Sequence, residues 1–173
     1  MDQHMDQIAA VLEQERELLE VLLFKLIETR LILEAGELRF LSRATREVER
    51  ARARTREVDL VRATTAAQYR CGTTLRELAA DAPEPWPGIL RDHHDLLVAL
   101  VAEIEVSAHR NAGEARGGLE ALRRSRVSAG IDEPRLAGSD DAELAHLARG
   151  ASLETVLATA SRLRMPGLLD FLR

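Results

Sequence analysis

The sequence predicts an all-α protein: a long antiparallel helical hairpin over residues 1–124, a flexible linker over 125–139, and a C-terminal amphipathic helical segment over 140–173. Three observations carry this reading. The stretch Ile8–Tyr69 holds no proline and a single glycine, Gly36, and its apolar residues return every three or four positions. Pro83, Pro85 and Pro87 are bunched in ADAPEPWPG, where they cannot share a helix. Aromatic residues make up only 3% of a chain that is 46% apolar, so the core must be built from Leu, Val, Ile and Ala, which suits helices packed closely on one another.

The first helix is expected to run unbroken from Ile8 to Tyr69. Leu12, Leu19, Leu22, Leu26, Leu33 and Phe40 mark its face first; Leu41, Ala44, Val48, Ala51, Thr55, Val58, Arg62, Thr65 and Tyr69 continue it. At about 1.5 Å per residue, such a rod is far longer than a small core requires and needs a partner alongside. Its early part, LLEVLLFKLI, is apolar on more than one face. Two readings stay open there: burial in a bundle, or a homodimer surface through this leucine-rich helix. From Arg43 to Arg62 arginines alternate with acids over a narrow stripe of small residues, which reads as a solvated helix face; the interspersed acids weaken it as a phosphate-binding patch.

The helix is expected to persist, or to restart after a bend near Gly72, through Ala80. The proline cluster near 81–88 is the corner of the hairpin, with Trp86 inside it as a lid on the apolar seam. The returning helix spans Ile89 to Arg124, with Leu90, Leu97, Leu100, Ile104, Ala108, Ala115, Leu119 and Leu122 facing inward. HRNAGEARGG is weak for helix within it. SRVSAGIDEPRLAGS loses periodicity and reads as the linker. Ser139 or Asp140 can cap the last helix, which Met165-Pro166-Gly167 interrupts before the apolar end GLLDFLR.

The net charge of −5 argues against nucleic acid as a partner, and no apolar stretch approaches the roughly 20 residues of a membrane span. One cysteine, Cys71, precludes an internal disulfide, so a reducing, cytoplasmic setting is expected. Adjacent His93 and His94 diverge on a helix, and Glu143-Leu144-Ala145-His146 is a lone Glu-xx-His, so neither makes a metal site. Phosphate-binding glycine loops are absent. No cofactor and no enzymatic activity are expected.

The layout resembles the FlgN-like flagellar export chaperones. In that family a leucine-rich helix leads into an E-xxx-L-xx-G-[DE]-xxx-L stretch; here Glu28–Leu41, ETRLILEAGELRFL, places Leu31, Gly36, Glu37 and Leu41 similarly. Arg62 resembles the arginine that closes the family's charged segment. Asn111 stands for its asparagine-rich stretch, whose following Leu/Ile pair is replaced here by AGEARGG. LRMPGLLDFLR resembles a terminal segment of related proteins. The resemblance implies a non-enzymatic chaperone that holds the ends of hook-associated, hook–filament junction proteins before type III export, and that contacts export-apparatus components. It places client binding in the C-terminal amphipathic region; there the apolar pattern marks Leu153, Val156, Leu157, Ala160, Leu163, Leu168, Leu169, Phe171 and Leu172 as the partner-binding residues, a helical stripe with Phe171 as an anchor. Docking of that segment on its own hairpin stays open beside partner binding. The rival reading is a dimeric coiled-coil adaptor without a chaperone role.

Overall fold

The structure, a computed structural model, describes residues 2–128 and 141–173. It is all-α, and no strand occurs among the described residues. Its elements are α1 (Asp2–Glu34), a short 3-10 turn (Leu38–Phe40), α2 (Leu41–Tyr69), α3 (Leu75–Asp81), α4 (Trp86–Ser128), α5 (Asp141–Ser161) and α6 (Pro166–Phe171). Among the described residues no helix is long and apolar enough to cross a membrane.

The expected unbroken helix from Ile8 to Tyr69 is corrected. α1 stops at Glu34, where Gly36 takes φ of 69°. The Glu37 amide donates to the Ile32 carbonyl at 3.1 Å and the Gly36 amide to the Leu33 carbonyl at 3.0 Å. This pair of bonds is the Schellman stop, which satisfies carbonyls the helix end would otherwise orphan and which favours glycine at the left-handed position. The chain therefore turns back at residues 35–40, well before the prolines.

Two compact units make up the chain, with the division falling inside α1, α2 and α4. One comprises Met1–Phe24, Glu49–Glu105 and Arg164–Arg173; the other comprises Lys25–Val48 and Val106–Leu163. In the first unit, Met5, Ile8, Leu12, Leu19 and Leu22 of α1, Val58 and Ala66 of α2, Leu75 and Leu78 of α3, and Leu90, Leu97 and Ile104 of α4 are buried. α3 restarts the helix after Gly72 behind a capping box: the Glu77 amide donates to Thr74 Oγ1 at 3.3 Å, and the Thr74 amide donates to Glu77 Oε2 at 3.0 Å. The prolines close the next turn, but Trp86 and Pro87 already belong to α4, where a proline in the first turn removes no needed donor. Trp86 is half-buried at the helix start instead of lying in the loop.

In the second unit the end of α1 and the start of α2 run antiparallel, with Lys25 Nζ 2.6 Å from Glu47 Oε2. Leu41, Ala115, Leu153 and Val156 form its core, with Ile32, Leu33, Leu38, Leu119, Leu122 and Leu157 packed around them. HRNAGEARGG, expected to be weak, lies inside a continuous α4. Asn111 is buried there and its Nδ2 donates to the Leu26 carbonyl at 2.9 Å, so tertiary contact outweighs propensity. α4 also takes in Ser125–Ser128, the first residues of the expected linker. The rest of that linker, and the caps proposed at Ser139 and Asp140, lie outside the described residues.

Candidate partner-binding site

The residues predicted to bind a partner are distributed over both units. Leu153 and Val156 of α5 are buried in the second unit's core, with Leu157 and Ala160 half-buried and Leu163 buried. Their seat depends on Gly118: a Cβ there would lie 3.0 Å from Leu153 Cδ1. Leu144 and Leu147, earlier in α5, remain exposed.

Leu168, Phe171 and Leu172 are buried in the first unit, while Leu169 is 40% exposed. The spacing of three and four puts the first three on one face of α6, and Leu169 turns outward. α6 has only six residues, too few to hold a helix by its own hydrogen bonds. Its shape is imposed by what it sits on. Burying those three side chains contributes roughly 1.5–3 kcal/mol each, before the ordering entropy is subtracted.

Beneath α6 lies a buried charge cluster. Arg62 of α2 and Glu15 of α1 are 3% and 1% exposed, and Arg62 Nε stands 2.9 Å from Glu15 Oε2. Arg62 also pairs with Asp59 through Nη2. Pinned on both sides, the guanidinium faces the Phe171 ring at 4.4 Å from its centroid, a cation–π contact. Burial pushes the Glu15 carboxyl up to about 7, against the opposing pull of Arg62. Gly167 fits against the cluster because it lacks a side chain: a Cβ would lie 2.7 Å from Asp59 Oδ2. At the other end of α6, buried His94 Nε2 lies 2.9 Å from the Leu172 carbonyl. The same nitrogen lies 3.3 Å from Arg76 Nε, and His94 Nδ1 lies 3.0 Å from Asp95 Oδ1.

Clefts flank this seat. One of about 150 Å³ is lined by Thr55, Arg56, Asp59 and the Arg164–Leu168 segment. Another of about 500 Å³ is lined by Leu75, Arg76, Ala79, Arg91 and His94. Among the described residues no group of three or more His, Cys, Asp or Glu is placed to hold a metal ion. Cys71 is exposed in the turn before α3.

Sequence reasoning gives Glu15 no role, treats Asp59 only as one acid of a solvated face, and weighs His94 only as a metal ligand. A signal exists for two of them. Glu15 lies between Leu12 and Leu19 on the apolar register of α1, and His94 lies between Leu90 and Leu97 on that of α4. A polar residue in an apolar register requires a buried partner. No family model, curated protein or solved structure matches this chain. What is established is thus the class, an all-helical protein of two compact units whose C-terminal apolar residues are seated on its own helices.

Proposed function

We propose that this chain is a non-enzymatic, cytoplasmic export chaperone of the FlgN-like kind. It holds the hydrophobic termini of hook-associated proteins before flagellar type III export and meets export-apparatus components on delivery. In this reading the C-terminal segment, Leu153 through Leu172, is a detachable arm on a helical hairpin, and its apolar face clasps the client once it leaves its seat. The observation that supports the reading best is α6 itself: a helix too short to stand alone, held by three apolar side chains, one cation–π contact and one hydrogen bond. Such helix-in-groove contacts are the kind that an amphipathic client terminus makes. The residues of Glu28–Leu41 that resemble the family point the same way.

The test is co-purification of candidate hook-associated proteins with the wild-type chain and with a Leu168→Asp, Phe171→Asp variant. Capture is expected to fall at least about tenfold, as loss of two apolar anchors implies. Undiminished capture would contradict the reading. The rival, a dimeric coiled-coil adaptor, is favoured by one observation: Val21 and Phe24 are 43% and 61% exposed on adjacent turns of α1. Leu19, Leu22 and Leu26, the deeper part of that leucine-rich stretch, are buried within the chain itself.

A further inference from the structure

The groove beneath α6 has features that a merely covered apolar patch does not need. Its arginine is fixed between two carboxylates, Glu15 and Asp59, and faces an aromatic ring. A histidine meets the Leu172 carbonyl at the cap of the occupant. These contacts involve the six-residue helix α6 and its cap residue Leu172, and could be made by the same pattern on another chain. His94, which meets the Leu172 carbonyl, also lines the larger cleft, where Arg76 and Arg91 join it with a single acid, Asp95. The side chain of Arg173 pairs with Asp170 at 3.3 Å.

We infer that this groove is a receptor for an amphipathic partner helix with a leucine, an aromatic residue three positions on, a leucine directly after it, and then an acidic residue. α6 is its resident occupant, matching the apolar and aromatic positions while carrying arginine where the rim favours an acid. The inference rests on the reading of the C-terminal segment as the partner-binding arm and adds the surface that the arm vacates. Arg62 selects the aromatic because its charge is already oriented and largely desolvated, the condition in which a cation–π contact discriminates. Tethering gives α6 a high effective concentration, so a partner must exceed that advantage or meet the arm already loosened.

The test uses a fluorescein-labelled peptide of residues 164–173, RMPGLLDFLR, titrated by anisotropy against the full wild-type chain and the full chain carrying Leu168→Ala and Phe171→Ala. The loosened chain is expected to bind the peptide at least about tenfold more tightly than wild type. A peptide with cyclohexylalanine at position 171 keeps the apolar volume and removes the π face, and should bind roughly fivefold more weakly. Glutamate in place of Arg173 should strengthen binding about twofold to threefold at low salt. Should circular dichroism show the double variant to be unfolded, Leu172→Ala carries the comparison. Equal binding to loosened and wild-type chains, indifference to the aromatic ring, or weaker binding of the glutamate peptide would overturn the inference. So would a wild-type dimer that exchanges α6 between copies, since the occupant would then be a second copy. Because no client is present, the outcome separates this inference from the chaperone reading: clients retained by the wild-type chain while the peptide fails would sink the groove alone.

Discussion

Glu15 is the residue at which burial and charge meet. It lies in an apolar register, 1% exposed, against an arginine that is itself buried. Removing one partner of such a pair strands the other, so Glu15→Ala should cost about 3 kcal/mol. The pH dependence has a definite sign. The folded carboxyl is raised by burial from 4.5 to about 7, so between those values the folded state keeps a proton that the unfolded chain releases. Stability from this group is complete below pH 4.5 and is lost as pH rises through 7, by up to about 3 kcal/mol. Glu13, Glu47 and Glu77 act oppositely, since hydrogen bonds from Arg16, Lys25 and the Thr74 backbone respectively hold their carboxyls below the usual range. The useful quantity is therefore the difference between wild type and Glu15→Gln in urea denaturation at about pH 5, 6, 7 and 8, a range that brackets the raised carboxyl. The variant should gain relative to wild type as pH rises; a difference constant across that range would refute the assignment.

The same residues show how far the sequence can be read. Positions 41, 44, 48, 51, 55, 58, 62, 65 and 69 are predicted as one face of α2; those from 41 to 62 are buried, while Thr65 and Tyr69 are half-buried. Arg62 is visible as a charge on an apolar stripe. That its partners are Glu15, on another helix, and Phe171, at the far end of the chain, is not visible, because register fixes which face a residue occupies and says nothing of which helix lies opposite. Asn111 teaches the reverse lesson. Its segment reads as weak helix by propensity, yet its side chain bonds to Leu26 and the helix runs through.

At the scale of the element, the end of α1 is where sequence and structure part most. Apolar periodicity continues across the turn, through Leu33, Leu38 and Leu41, so the spacing hides a reversal that Gly36 alone signals. The glycines of this protein consequently divide by role. Gly36→Ala forces a side chain into φ of 69° and should cost about 1 kcal/mol. Gly117 lies within α4, and a Cβ added there would meet nothing within 4 Å, so Gly117→Ala should stabilise by roughly 0.5–1 kcal/mol. Thermal unfolding of the two single variants checks both signs; a stabilising Gly36→Ala would mean that the Schellman stop is absent. The proline cluster does form a turn, as its composition predicts. It is not the first corner of the hairpin, since the chain has already reversed and α3 intervenes.

At the scale of the whole molecule, the proposed function depends on α6 leaving its seat when a client is held. The contact between Gly167 and Asp59 offers a way to prevent this. A Cβ at 167 would lie 3.4 Å from Asp59 Cγ, close to where the sulfur of a cysteine at 59 would stand, and this suits a disulfide. With exposed Cys71 changed to serine, the Asp59→Cys, Gly167→Cys chain can be closed by oxidation and reopened by reduction. The decisive measurement is capture of hook-associated protein termini by this chain in its two redox states. The reduced chain is expected to capture at least about ten times more than the oxidised one. Equal capture by the locked and unlocked forms would contradict the arm mechanism.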